Sequence, residues 1–152
     1  MRRCRVATSR VRLGGVIRVM VVDDHLVVRQ GLAACFEYRT EDVRVVGGCG
    51  RGDQVVDAAH TLAPDVVLMN CNMDGGDGWA ATEALLAVQP HCHVIFFSAI
   101  GAGPADYARA RAVGAVGYLH KSVDPDDLEN YVREVAAGGT AWPGLLDHND
   151  NS

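Results

Sequence analysis

At 152 residues, 49% of them hydrophobic, the chain is long enough for one well-buried core and too short for two ordinary domains. Its apolar residues fall in short runs, far below the roughly 18 consecutive residues that a membrane span needs, so no membrane role is expected. The formal charge of -5 is uneven, because Arg2, Arg3, Arg5, Arg10 and Arg12 precede the first acidic residue, Asp23; the acidic remainder argues against direct nucleic-acid binding.

Residues 1–15 close with Gly14 and Gly15 and show no apolar period, so they read either as a flexible basic leader or as residues ahead of the true start. No apolar signal core precedes the first strand-like run. Cys4, Cys35, Cys49, Cys71 and Cys92 form no CxxC pair, which predicts reduced thiols in the cytoplasm.

From Val16 onward, short β-branched runs alternate with longer helical patterns, as in a parallel sheet covered on both faces. Residues 16–22 predict a first strand ending in Asp23 and Asp24, and 25–36 a first helix. Residues 43–46 predict a second strand, and 53–62 a second helix that stops before Pro64. Residues 65–69 are apolar between their ends, as a central strand is, and deliver Asn70 at the C-terminal edge. A Gly-rich bend over 73–78 leads to a third helix over 79–88, a fourth strand over 94–97 ending at Ser98 and Ala99, and a rather polar helix over 104–112.

Residues 116–119 predict a short fifth strand that hands over to His120 and to Lys121, the one lysine of the chain. Asp124 then reads as an N-cap, with Pro125 in the first helical position and Asp126 and Asp127 favourably placed against the helix dipole. Leu128, Tyr131, Val132, Val135 and Ala136 give the last helix one buried stripe, and Gly138 and Gly139 end it. From Thr140 the sequence reads as a polar tail; the domain is taken as 16–143 and the flexible tail as 144–152.

Ligands of a doubly wound sheet bind outside the carboxyl ends of its strands. That rule gathers Asp23, Asp24, Asn70, Ser98 and Lys121 into one crevice. The segments Val21-Val22-Asp23-Asp24-His25, Pro64-Asp65-Val66-Val67-Leu68-Met69-Asn70, Ser98-Ala99 and Gly117-Tyr118-Leu119-His120-Lys121 together resemble the response-regulator receivers of two-component systems. The resemblance covers 17–143. The Asp-Asp-His run and the Gly-Tyr-Leu-x-Lys ending are most similar to the subfamily that usually carries a C-terminal LuxR-type helix-turn-helix. About ten residues of tail are too few to fold one, so a stand-alone receiver is expected.

The resemblance implies an α/β fold: a doubly wound, five-stranded parallel sheet of order 2-1-3-4-5, flavodoxin-like and CheY-like, (βα)5. It also implies that Asp23, Asp24 and the backbone carbonyl of Asn72 hold Mg²⁺, that the Ser98 hydroxyl and Lys121 receive a phosphoryl group, and that Tyr118 changes rotamer on activation. The acceptor position departs from the family, because Asn70 stands where an aspartate is expected. An amide is no carboxylate nucleophile, and its carbonyl oxygen is neutral, so no acyl phosphate forms there. Mg²⁺ binding is expected to be weakened by the lost anionic ligand. With Asp23, Asp24 and Lys121 the pocket carries a formal charge of -1 instead of -2. A second departure, Met73-Asp74-Gly75 for the usual Met-Pro-Gly, is expected to free the following loop.

Other motifs favour plainer readings. Asp23 and Asp24 in isolation suit a helix cap, and Tyr118 alone is ordinary strand packing. The glycines of 48–52 read as a turn, since their spacing is wrong for a dinucleotide fingerprint. His91, Cys92 and His93 could offer a metal three side chains, yet alternation turns Cys92 away from the histidines. Cys71, next to Asn70, reads as a buried structural cysteine.

The function expected is an atypical receiver without enzymatic turnover, a phosphorylation-independent protein-interaction module in phosphorelay signalling. Its partner would be another regulator, a sensor kinase, a DNA-binding subunit or a second copy of the chain. The alternatives are transcription regulation through a DNA-binding partner and a Mg²⁺-dependent phosphatase or phosphotransferase. The last needs Asp-x-Asp after the first strand, whereas Asp23 and Asp24 are adjacent.

Overall fold

The β-branched runs pair as predicted into a five-stranded, all-parallel sheet in the order β2-β1-β3-β4-β5, seen in a computed structural model that describes residues 15–144. The strands are β1 (Ile17–Val22), β2 (Val43–Cys49), β3 (Val66–Met69), β4 (His93–Ser98) and β5 (Gly117–His120). Helices α1 (Leu26–Arg39), α2 (Val55–Leu62), α3 (Gly78–Val88), α4 (Pro104–Ala112) and α5 (Pro125–Ala136) alternate with them, and a 3-10 turn, Gly52–Gln54, leads into α2. Apart from Gly15 and Gly144, the expected leader and tail lie outside the described residues.

The sheet is apolar on both faces because successive strand residues point to opposite sides and both sides are covered. Met20, Val22, Val67, Met69, Val94 and Phe96 meet α2, α3 and α4 through residues such as Ala59, Trp79, Leu85 and Ala110. Val19, Val21, Val66, Leu68, Ile95 and Phe97 meet α1 and α5 through Phe36, Leu128, Val132 and Val135. The Asp124 cap is present, its carboxylate accepting from the Asp126 N–H at 2.8 Å, with Pro125 following it. No helix of the described residues is long and apolar enough to cross a membrane.

Three expectations need correction. β2 runs to Cys49, because a register shift after Val19 places Met20 opposite Gly47 instead of Val46. This bulge turns Gly47 to φ 153°, where a Cβ would fall 2.9 Å from the Leu62 side chain. The stretch from Thr140 is not simply a polar tail: Ala141 pairs in parallel with Gly117, and Ala141 and Trp142 are buried. The bend over 73–78 is fastened, since Gly52 and Asp53 donate their N–H groups to the carbonyls of Asp74 and Gly75. The Arg51 guanidinium lies against Gly75, and exposed Asp74 acts electrostatically on Arg51.

Candidate functional site

The parallel register brings the carboxyl ends of β1, β3, β4 and β5 together. The Asn70 N–H donates to the Val22 carbonyl at 2.9 Å, and the Lys121 N–H to the Ser98 carbonyl at 2.8 Å. The chain can leave β3 tightly because residue 78 is glycine: a Cβ there would fall 2.0 Å from the Asn70 carbonyl oxygen.

Among the described residues Asp23 is the most enclosed carboxylate, 1% exposed. One of its oxygens, Oδ2, accepts from Lys121 Nζ at 2.5 Å. The other, Oδ1, accepts the His25 N–H at 2.9 Å and lies 3.0 Å from His25 Nδ1, while Arg29 donates to the Asp23 backbone carbonyl at 2.5 Å. Burial pushes the Asp23 carboxyl up, but the hydrogen bonds from Lys121 and from the His25 backbone and ring outweigh it and hold the group below its ordinary value. His25 Nδ1 is also 3.0 Å from Asp24 Oδ1, so the imidazole spans both acids.

Asn70 closes the other side of the cluster. Its side-chain nitrogen donates to the Asn72 carbonyl at 2.9 Å and reaches Asp24 Oδ1 at 3.5 Å. Of the residues that the strand-end rule gathers, Asp23, Asp24, Asn70 and Lys121 thus lie in one hydrogen-bonded cluster with the Asn72 carbonyl, and Ser98 does not join it.

Ser98 and Tyr118 lie on a neighbouring network. The Ser98 hydroxyl accepts from the Ile100 N–H at 3.1 Å and lowers both the neighbouring Cys71 thiol and Tyr118 phenol against the larger effect of burial, while the Cys71 thiol donates to the Tyr118 hydroxyl at 3.5 Å. Burial, reinforced by the Cys71 contact, pushes the Tyr118 phenol up to about 12. Burial also raises the Cys71 thiol, as suits a structural cysteine.

Sequence reasoning missed three participants: His25 as a bridge, Arg29 as a clamp on the Asp23 carbonyl, and Cys71 as the partner of Tyr118. The Asp-Asp-His run and the position of Arg29 one turn into α1 were the available signals for the first two. At the other motif, Cys92 is buried and donates to the Pro64 carbonyl at 3.5 Å, and burial lowers the His93 imidazole. Among the described residues, the side chains grouped closely enough to hold a metal are Asp23, Asp24 and His25.

The donor set fits Mg²⁺ poorly, since this ion takes oxygens at about 2.0–2.1 Å in near-ideal octahedral geometry. Both Asp23 oxygens already accept hydrogen bonds, Lys121 sits directly on one of them, and Asn70 turns an N–H donor toward Asp24 and the Asn72 carbonyl. The chain's own donors thus compete with a cation for the Asp23 oxygens, Asp24 Oδ1 and the Asn72 carbonyl.

Residues 19–133 match the family model for the response regulator receiver domain. The response regulator GacA of Pseudomonas aeruginosa is 36% identical over 123 residues, 81% of this chain and 56% of that protein. The transcriptional regulatory protein LnrK of Bacillus subtilis is 30% identical over 131 residues, 86% of this chain and 59% of that protein. The matched stretch is thus little more than half of either relative. A LuxR-family two-component response regulator from Aurantimonas sp. SI85-9A1 superposes with a TM-score of 0.80 at 28% identity, covering 90% of this chain and 97% of that one.

Proposed function

This chain belongs to the response regulator receiver family, and from that premise we propose that it signals without a phosphoryl group of its own, as a protein-interaction module with no enzymatic turnover. One observation carries the reading: at the acceptor position Asn70 spends its amide on Asp24 and the Asn72 carbonyl. The atom facing those acceptors is a hydrogen-bond donor, so neither an attacking carboxylate nor a third anionic metal ligand is supplied. Mg²⁺ binds weakly, and Lys121 pairs with Asp23 instead of with a phosphoryl group.

Something else must then set the state of the domain. Inverting a two-state population from 1:99 to 99:1 takes about 5.5 kcal/mol of differential binding, which a protein partner can supply through interfacial contacts. Another regulator, a sensor kinase, a DNA-binding subunit or a second copy of the chain meets that need. The test is capture of one purified partner by the wild-type chain and by Asn70→Asp, each without and with a small phosphodonor. Equal capture by both without the donor supports the reading; capture only by phosphorylated Asn70→Asp overturns it.

Regulation of transcription through a DNA-binding partner is the second reading, favoured by the match to a relative described as a transcriptional regulatory protein. It predicts that the chain alone leaves DNA unshifted at low salt and is retained on DNA by its partner. Direct, salt-sensitive binding by the chain itself would contradict it.

A further inference from the structure

Beyond α5 the backbone turns at Gly138, whose φ of 101° is left-handed, and returns along the outer edge of β5. The Tyr118 N–H donates to the Ala141 carbonyl and the Ala141 N–H to the Val116 carbonyl, both at 2.9 Å. The approach is close because residue 117 is glycine: a Cβ there would fall 2.7 Å from the Ala141 Cβ and carbonyl oxygen.

Side chains extend the same contact. Trp142 stands edge-on to Tyr107, with centroids 6.1 Å apart, and Tyr107 stands edge-on to Tyr118 at 5.7 Å. The Arg111 guanidinium covers the Trp142 ring at 5.6 Å. Gly144 then passes so near Tyr107 that a Cβ would lie 1.9 Å from its hydroxyl. Tyr118 is therefore held through its hydroxyl by Cys71, through its backbone by Ala141, and through its ring by Phe96 and by Tyr107, which Trp142 backs.

We propose that residues 139–144 form a latch on Tyr118, so that outward rotation of this side chain and release of the segment from the β5 edge are one coupled transition. Covering an edge strand is useful in itself, since unpaired N–H and C=O groups invite association. A cover alone needs neither the Trp142–Tyr107–Tyr118 stack nor a glycine at 144. Coupling is reciprocal, so a partner that draws Tyr118 outward loosens the segment, and one that grips the segment frees Tyr118. Only this use of the latch rests on the partner-biased reading; the latch is defined by contacts within the chain.

The test uses the full chain labelled with 3-fluorotyrosine, the Tyr118 resonance being assigned from Tyr118→Phe, with no phosphodonor or partner present. Gly117→Val drives the segment off the edge, and Trp142→Ala removes the ring behind Tyr107. Both should move the Tyr118 fluorine signal to a solvent-exposed position while the other core amides stay protected. Reciprocally, Tyr118→Ala should speed amide exchange at Ala141 by about tenfold or more and leave Val67 and Ile95 unchanged. If Gly117→Val does not fold, Gly144→Val applies the same pressure through the Tyr107 hydroxyl. A Tyr118 signal that stays buried while the Ala141 amide exchanges freely would overturn the latch and leave phosphorylation independence untouched.

Discussion

The Asn70 side-chain nitrogen donates to the Asn72 carbonyl across 2.9 Å and reaches the Asp24 carboxylate at 3.5 Å, so one amide joins a backbone carbonyl to an acid that His25 also contacts. An aspartate at position 70 would reverse both contacts, placing acceptor against acceptor. The amide thus does in geometry what a bound cation would do in an all-carboxylate pocket.

Asn70→Asp should therefore lower stability by about 1–2 kcal/mol in the absence of divalent ions, through like-charge crowding and two lost hydrogen bonds. Added Mg²⁺ should restore it, by about 1.4 kcal/mol at tenfold excess over the dissociation constant. Wild-type stability should respond little to Mg²⁺. Urea unfolding of both proteins with and without the ion checks this, and an equal Mg²⁺ response would contradict it.

Lys121→Met should be costly, because Asp23 is 1% exposed and would keep only the His25 donors. Breaking a buried pair on one side costs about 3–5 kcal/mol when the remaining charge is stranded; the surviving His25 bonds place this case at about 2–4 kcal/mol. The midpoint of urea unfolding gives the value, and a loss below half a kcal/mol would show that Lys121 does not neutralise Asp23.

Acid sensitivity follows from the sign of the Asp23 shift. Its folded pKa lies below the unfolded value of about 3.9, so the stabilisation is present above that value and is lost as pH falls through the folded pKa. Asp42, held low chiefly by its hydrogen bond from Arg133, adds a contribution of the same sign at a half-exposed site. Stability should fall steeply below about pH 4. High salt should erase the Asp42 part, read as the difference from Asp42→Asn, and should spare the enclosed Asp23 part.

Glycine substitutions separate backbone contact from helix propensity. Gly78→Ala gains about 1 kcal/mol of propensity in a helix interior and less at this first position, yet its Cβ would meet the Asn70 carbonyl oxygen at 2.0 Å. A net loss of about 2–4 kcal/mol is expected from that clash. Gly101→Ala, with open space around its Cβ and no positive φ, should be neutral or slightly stabilising. Paired thermal unfolding of the two variants decides the matter.

The sheet was legible because Val66–Met69 and its neighbours are apolar on both faces, and the strand-end rule then gathered Asp23, Asp24, Asn70, Ser98 and Lys121 without coordinates, of which Ser98 turns to the Ile100 N–H instead. What Asn70 does with its amide was not legible, since that depends on the turn that brings the Asn72 carbonyl back toward it. The His25 bridge stayed hidden because a histidine beside two acids also reads as the start of a helix. Trp142 lay in a stretch with no period, and its burial depends on β5 being the outer strand, a property of the whole topology. The proline missing from the loop was misleading because Arg51, Gly52 and Asp53, distant in sequence, hold the loop in its place.

The central claim is tested most directly by incubating the purified chain with a small-molecule phosphodonor and Mg²⁺ and recording intact mass, with Asn70→Asp in parallel. The wild type should gain no phosphoryl group, whereas Asn70→Asp should gain one that is labile to hydroxylamine, as an acyl phosphate is. A hydroxylamine-labile phosphoryl group on the wild-type chain would contradict the account.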